Sequence, residues 1–258
     1  MVSVRDVAEN CMGVSGTISV NRDIYGYIFR DGSNRLFGGL GGNDTFPATG
    51  QPTARSLRAQ LELAKGLSIN VCVFLVNHEN DFSGAVTIDD VTKIQYAIQV
   101  MRDIYAQAPL GVRKIYWRRI GTAEAGNYTV ISDKPEAEDL ADDFSGPNDG
   151  IDVFFVQSIL NAGGWSNSDG PCDKDSKDGL TGAVLEVSGG RRGTGVLLAH
   201  EVGHYLRLPT GPSINNFMGT DPDGDGIDSI NSNSTGVTAS QASTMRSGCW
   251  VKSTCGSG

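Results

Sequence analysis

The chain has 258 residues, of which 39% are hydrophobic, enough to bury one sizeable core in one large or two small domains. Thirty acidic residues against twenty-one basic ones give a net charge of −9, which argues against nucleic acid or an anionic membrane as a partner. No apolar run approaches the length of a membrane span, and residues 1–20 lack the charged start and continuous apolar centre of a signal peptide. We therefore expect either an intracellular protein or the mature form of a secreted one.

The N-terminal residues 1–50 read as short strands and turns, with a hairpin turn at Asp31-Gly32. A linker-like stretch then leads to a predicted helix over 54–65. The next segment, 67–77, is a continuous apolar run rich in β-branched residues, which is typical of a central strand buried on both faces.

The longest amphipathic pattern runs over 87–108 and predicts a helix that begins with a capping pair, Thr87 and Asp90. Its apolar stripe consists of Val91, Ile94, Ile98, Met101 and Tyr105. The acidic stretch 133–149 is expected to be a solvated loop. Further strands are predicted over 112–120, 150–159 and 180–188. This alternation predicts an α/β fold with a twisted, mixed but mostly parallel sheet covered by helices.

Two of the three histidines, His200 and His204, stand four residues apart, with Glu201 after the first. The surrounding residues favour a helix that is capped by Thr194 and ended by Pro209. On a helix this spacing places both imidazoles on one face, where they can share a tetrahedral zinc ion while Glu201 takes a proton from metal-activated water. The alternative is two ordinary polar residues on a buried helix. We prefer the metal.

A short acidic loop, 221–228, follows this helix and has carboxylates at alternate positions with a glycine after the third. This pattern lets a tight loop aim oxygen ligands at calcium. Ser232 stands where an EF-hand has its glutamate, so the loop is not a complete EF-hand. Calcium binding is the preferred interpretation, and a solvated acidic turn is the alternative. The candidate calcium ligands are Asp221, Asp223, Asp225 and Asp228.

Five cysteines at irregular spacing match no zinc ribbon or redox motif, and we expect two disulfides and one free thiol. Cys72 lies in an apolar run and is predicted to be the buried free thiol. Cys172, Cys249 and Cys255 lie in loop-like sequence that suits disulfides, in a pairing that spacing does not determine. For Cys11 a disulfide is favoured over a thiolate that blocks the zinc in a latent form.

Two further segments accompany the H-E-x-x-H motif: residues 215–219 read N-N-F-M-G, and residues 237–246 read V-T-A-S-Q-A-S-T-M-R. With them the chain resembles the metzincins, a clan of zinc peptidases. The first segment is similar to the Met-turn beneath the metal, with Met218 as its methionine, and the second is similar to the start of the C-terminal helix in pappalysin-like members. The resemblance implies a zincin-like fold with a backing helix, an active-site helix and a C-terminal subdomain. The expected units are a β-rich N-terminal extension, 1–60, and a catalytic domain, 61–258, with subdomains 61–208 and 209–258.

The chain departs from the clan, whose motif continues as H-E-x-x-H-x-x-G-x-x-H. Arg207 stands at the glycine and Thr210 at the third ligand position. A hydroxyl is a poor zinc ligand, and a left-handed turn at arginine costs on the order of 1 kcal/mol, so we expect the helix to end differently, just before Pro209. Three accounts stay open: Asp221 completes the site, the two histidines hold zinc weakly with extra waters, or the site has lapsed. His78 is expected to be an ordinary surface or loop residue.

The resemblance implies a secreted zinc endopeptidase that acts on protein or peptide substrates, and we expect a monomer. His200 and His204 hold the metal, Glu201 is the general base and then the proton donor, and Met218 is a structural floor. Segment 180–188 resembles, by its place before the active-site helix, the edge strand that binds extended peptides. The alternative, favoured by the missing third histidine, is a catalytically silent, calcium-stabilised binding module on the same scaffold.

Overall fold

The computed structural model describes residues 28–30, 36–38, 66–79, 84–177, 179–187, 189–211, 213–219 and 230–253. Near the N-terminus, β1 (Ile28–Arg30) pairs antiparallel with β2 (Leu36–Gly38), as the predicted hairpin requires. The predicted helix over 54–65, the acidic loop 221–228, Cys11 and Cys255 lie outside the described residues.

The larger sheet is mixed and mostly parallel, as predicted. Strand β3 (Leu67–Val76) lies between two parallel neighbours, β4 (Gly111–Ile120) and β6 (Ile151–Val156), and β6 pairs in parallel with β9 (Gly182–Glu186). Two short antiparallel strands complete it: β8 (Gly164–Ser166) on β9, and β10 (Lys252–Ser253) on the start of β3. A separate parallel ladder joins β5 (Val130–Ile131) and β7 (Ser158–Ile159).

The described residues also form α-helices: α1 (Ile88–Tyr105), α2 (Thr122–Ala125), α3 (Lys134–Phe144), α4 (Arg191–Tyr205) and α5 (Ala239–Arg246). Short 3₁₀ helices lie at Gly126–Thr129 and Lys174–Ser176. Within the described part of the chain, no helix is both long and apolar enough to cross a membrane.

Strand β3 is buried on both faces because its alternate side chains enter two hydrophobic cores. One core lies between the sheet and helices α1 and α4, and the other lies between the sheet and α3. The first core receives Ile69, Val71, Val73 and Leu75, and the second receives Cys72, Phe74 and Val76. The continuous apolar run therefore encodes a strand with helices on either side, as its composition predicts.

Helix α1 begins with the predicted capping box, in which Thr87 and Asp90 each bind the other's backbone N–H. All five residues of its predicted stripe are buried. It packs closely against α4 because Gly195 has no side chain. A methyl group at that position would lie 2.5 Å from Cβ of Val100. The Tyr105 hydroxyl also donates to the carbonyl of Ala199, 2.9 Å away, so α1 fixes the helix that carries the two histidines.

The expectation of a solvated loop over 133–149 is wrong for most of its length, since α3 occupies Lys134–Phe144. Asp133 caps this helix by accepting a hydrogen bond from the Glu136 N–H at 3.0 Å, and Pro135 is tolerated in the first turn. Small apolar residues at helical spacing, which the acidic composition concealed, bury one face against the sheet. They are Ala137, Leu140 and Ala141.

Helix α4 begins earlier than expected, at Arg191, with Gly190 in the N-cap position. Thr194 is therefore not the cap. Its hydroxyl instead lies inside the first turn and donates to the carbonyl of Gly190 at 3.3 Å. A Thr hydroxyl can bond a carbonyl one turn back as readily as it can cap, so the sequence alone does not distinguish the two positions.

Candidate metal centre and active site

His200 and His204 lie on one face of α4, with 0% and 8% of their surface exposed. Their Nε2 atoms are 3.0 Å apart, and their rings meet edge to face. Each ring also contacts a backbone carbonyl through Nδ1: His200 that of Phe217 and His204 that of Leu208, both at 2.8 Å. The structure thus brings together the two predicted ligands, each with a partner that fixes its ring.

These contacts fit a metal ion. A carbonyl oxygen only accepts hydrogen bonds, so each Nδ1 donates its proton and each ring turns its Nε2 toward the other. Two imidazole nitrogens that face each other at this distance can share one cation. A tetrahedral zinc ion about 2.0–2.1 Å from each nitrogen holds the two about 3.3 Å apart, close to the observed separation. Histidine ligands also commonly donate their other N–H to a carbonyl, as both rings do here.

The end of α4 differs from the expected one. The helix ends at Tyr205, and Arg207 adopts the left-handed conformation, with φ of 74°, that the clan assigns to glycine. The N–H of Arg207 donates to the carbonyl of His204, and that of Leu208 donates to the carbonyl of Gly203. This is a Schellman motif, and it brings the Leu208 carbonyl back to the His204 ring. The arginine therefore does not prevent the sharp turn.

A contact with the loop after β8 accompanies this turn. The Arg207 guanidinium lies 2.8 Å from the Asp169 carboxylate, measured from Nε to Oδ1, and the Asp169 N–H donates to the His204 carbonyl. The two side chains are about half exposed, so the ion pair itself contributes only about 0–1 kcal/mol. The backbone bond and the ion pair together tie this loop to the end of the motif helix.

Met218 is fully buried beneath the helix. Met218 and Phe217 approach helix α4 closely because Gly203 has no side chain. A methyl group there would lie 2.6 Å from Sδ of Met218 and 2.9 Å from the Phe217 ring. The Met218 N–H donates to the side-chain oxygen of Asn216. The segment therefore supports the helix from below while its Phe217 carbonyl binds His200.

Glu201 is 4% exposed, and its side chain packs against β8. A methyl group on Gly164 would lie 3.0 Å from Cγ and 3.1 Å from Oε1 of Glu201.

The expectation that segment 180–188 forms the edge strand is wrong, since its strand, β9, lies between β6 and β8. Sequence patterning missed β8 because a three-residue strand is too short to show alternation.

Among the described residues, no His, Cys, Asp or Glu joins His200 and His204 in a group that could hold a metal ion. Thr210 is exposed, and Asp221, like the other three candidate calcium ligands, lies outside the described residues. His78 follows β3 outside the named strands, which agrees with the expected loop position, but it is buried rather than at the surface. It is 2% exposed, and its ring contacts the carbonyl of Val86.

A disulfide joins Cys172 to Cys249, a pairing that the spacing had left open, and Cys72 is a buried free thiol, as predicted. Burial raises the pKa of Cys72 to about 12, and the Asp152 carboxylate adds to the effect. Asp152 itself forms a fully buried ion pair with Lys174, at 2.9 Å. Lys174 also donates to the Gly150 carbonyl, so its loop is bound to the sheet close to the disulfide.

No protein-family model matches the sequence, and no curated protein matches it. Among solved structures, the chain is similar to an archaemetzincin from Methanopyrus kandleri, with a TM-score of 0.47 and 11% identity over 69% of this chain and 94% of that one. It is also similar to mirolysin, solved in complex with a compound, with a TM-score of 0.44 and 15% identity over 71% and 93% of the two chains. Neither similarity specifies an activity for this chain.

Proposed function

We propose that this chain is a zinc-dependent endopeptidase of the metzincin type. The observation that carries the proposal is the pair of buried imidazoles, His200 and His204, whose Nε2 atoms converge while carbonyls hold both Nδ1 atoms. Glu201, the residue between them that can move a proton, is buried against the outer strand of the sheet. Such a grouping of two ligands and a base suits the hydrolysis of a peptide bond.

In this proposal His200 and His204 hold the zinc, and Met218 is the structural floor beneath them. Bound zinc supplies Lewis-acid chemistry, which polarises the scissile carbonyl and lowers the pKa of water. The Glu201 carboxylate accepts a proton from the attacking water and delivers it to the leaving amine. Its burial against β8 restricts the carboxylate to one side of the helix, where a substrate strand would lie.

The substrate is proposed to be an extended peptide. Strand β8 pairs with β9 on one side and is the outermost strand on that side of the described sheet. An extended chain can therefore add to β8 through backbone hydrogen bonds, and the affinity of this mode of binding comes from the main chain rather than from particular substrate side chains. The strand contains Gly164, which packs against Glu201, so a peptide bound there passes close to the base.

Two parts of the proposal concern residues that the structure does not describe. Asp221 is the candidate third zinc ligand, and calcium binding by Asp221, Asp223, Asp225 and Asp228 stays a prediction. One residue cannot readily serve both ions, so the two assignments compete for Asp221. Secretion also stays a prediction, and the Cys172–Cys249 disulfide is consistent with an oxidising compartment.

The test begins with metal content, measured by mass spectrometry on the purified wild type and on His204→Ala. We expect about one zinc per chain in the wild type and a loss of zinc in the variant. Cleavage of denatured casein should then disappear with a chelator and with Glu201→Ala, while the Glu201 variant keeps its zinc. Asp221→Ala tests the third ligand, and the calcium content of the same samples tests the acidic loop.

The alternative is a catalytically silent, calcium-stabilised binding module, which the absence of a third ligand among the described residues favours. It predicts a folded protein that contains calcium, lacks zinc and cleaves no denatured substrate. That combination would exclude the peptidase. Zinc in the wild type with Glu201-dependent cleavage would exclude the binding module.

A further inference from the structure

Gln241 lies in the first turn of α5 and takes part in its N-terminal cap. Its side-chain oxygen accepts a hydrogen bond from the backbone N–H of Thr238 at 2.9 Å, and its own backbone N–H donates to the Thr238 hydroxyl at 3.2 Å. This reciprocal arrangement is a capping box, which is sufficient to explain a glutamine or glutamate at this position.

The same side chain makes a second pair of hydrogen bonds that the capping box does not require. The Asn216 amide donates to the Gln241 oxygen at 2.8 Å, and the Gln241 amide donates to the Asn216 oxygen at 2.9 Å. The two primary amides therefore bind each other in both directions. Glutamate would satisfy the capping box equally well but has no donor for Asn216, so the second pair depends on the glutamine amide.

Asn216 connects this pair to the candidate metal centre. It is 9% exposed, and its oxygen also accepts the backbone N–H of Met218, so its side chain spans the turn around Phe217. The Phe217 N–H donates to the Gly236 carbonyl, and the Phe217 carbonyl accepts from the His200 ring. The Met218 N–H and the Phe217 carbonyl belong to one peptide unit, so the bond from that N–H to Asn216 holds the carbonyl that orients His200, and the orientation of Asn216 is set by Gln241.

We propose that Gln241 is a positioning residue for the metal ligand His200, acting through Asn216 and the Phe217 carbonyl. The proposal rests on the proposed function in so far as His200 binds zinc. Mutation of a residue that orients a metal ligand typically lowers metal affinity by 10- to 100-fold. We expect an effect at the lower end, about tenfold, because Asn216 and the Phe217 carbonyl lie between Gln241 and the His200 ring.

The test compares zinc affinity, measured by competition with a chromogenic chelator, in the wild type and three variants. Gln241→Met removes both amide bonds and the side-chain half of the capping box without adding charge. Gln241→Glu keeps the cap but loses the donor to Asn216. Thr238→Ala is the matched control, because it weakens the cap and leaves the amide pair in place. We expect both Gln241 variants to bind zinc about tenfold more weakly, and Thr238→Ala to lower the melting temperature without changing zinc affinity by more than twofold.

Wild-type affinity in both Gln241 variants would overturn the inference, as would an equal loss in Thr238→Ala, since helix stability alone would then explain the effect. A readout on the metal-free protein separates this inference from the proposed function. Exchange of the His200 Nδ1 proton with solvent, followed by NMR, should be faster in both Gln241 variants than in the wild type and in Thr238→Ala. If the wild type binds no zinc, the peptidase proposal fails, and unchanged proton exchange would overturn the positioning role independently.

Discussion

Gly164 leaves room for Glu201: a methyl group at position 164 would lie only 3.0 Å from Cγ and 3.1 Å from Oε1 of Glu201. A methyl group there would also lie 3.1 Å from the Val184 carbonyl of the neighbouring strand, so it cannot move away from Glu201 without disturbing the sheet. The absence of a side chain in the outer strand therefore sets the position of the proposed base.

We predict that Gly164→Ala lowers kcat about tenfold while zinc content is unchanged, because the Glu201 side chain must give by a few tenths of an ångström and a misplacement of about 1 Å costs on the order of 100-fold. Gly163→Ala is the matched control. Its methyl group would meet only the flexible end of Leu197, at 3.2 Å, and should leave kcat within a fewfold of the wild type. Casein cleavage with parallel metal analysis measures both. Equal activity in the two variants would contradict the role given to Gly164.

Position 207 offers a stability prediction in which two effects oppose each other. Arg207→Gly relieves a left-handed conformation that costs about 1 kcal/mol in a residue with a side chain, but it loses the exposed ion pair with Asp169. Arg207→Ala loses the ion pair and keeps the strain. We therefore expect the glycine variant to be more stable than the alanine variant by about 1 kcal/mol, measured by urea unfolding. An alanine variant as stable as the glycine variant would show that the turn is not strained.

Much of the sheet could be predicted from the sequence, whereas the arrangement of the site could be predicted only in part. The continuous apolar run of β3 and the helical spacing of His200 and His204 are both patterns of side chains, and both lead to the observed structure. The carbonyls of Leu208 and Phe217, which orient the two rings, are backbone atoms that any residue supplies. No pattern of side chains could have identified them.

The errors have physical causes of the same kind. The Asp-rich composition of 133–149 suggested a loop, whereas Asp133 caps helix α3 there. Aspartate is common both in solvated loops and at helix N-termini, so composition does not distinguish the two. The steric cost of a left-handed arginine suggested that the helix would not turn at Arg207. The hydrogen bonds of the Schellman motif nevertheless outweigh this strain of about 1 kcal/mol. In both places tertiary context decided between two local options of similar free energy.

Cys72 gives a prediction about pH. Its pKa in the folded protein is raised by burial to about 12, above the ordinary thiol value of 9.0, so the folded state favours the protonated thiol. The protonated Cys72 thiol therefore does not oppose folding below pH 9, and the free energy of unfolding decreases as the pH rises from 9 toward 12. At pH 8 we expect iodoacetamide to leave Cys72 unmodified in the native protein and to alkylate it in guanidinium, as read by peptide mapping. Rapid alkylation of the native protein at pH 8 would contradict the burial.

The Cys172–Cys249 disulfide closes a loop with a sequence separation of 77 residues. A loop of that length is expected to stabilise the folded state by about 4 kcal/mol, chiefly by restricting the unfolded chain. The double variant Cys172→Ser/Cys249→Ser should lose about that much in urea unfolding, while Cys72→Ala changes a core contact without opening the loop. A loss below about 1 kcal/mol in the double variant would show that the unfolded chain is already compact.

The order in which the chain is synthesised bears on when the proposed centre can form. Strand β10 pairs with Leu67 and Ser68 at the start of the sheet, and such contacts between distant segments form slowly. A nascent chain that has emerged only as far as Tyr205 already carries both histidines but lacks the Leu208 and Phe217 carbonyls that orient them. Capture of a metal ion in the proposed geometry is therefore coupled to late folding, and partly synthesised chains do not present the assembled centre.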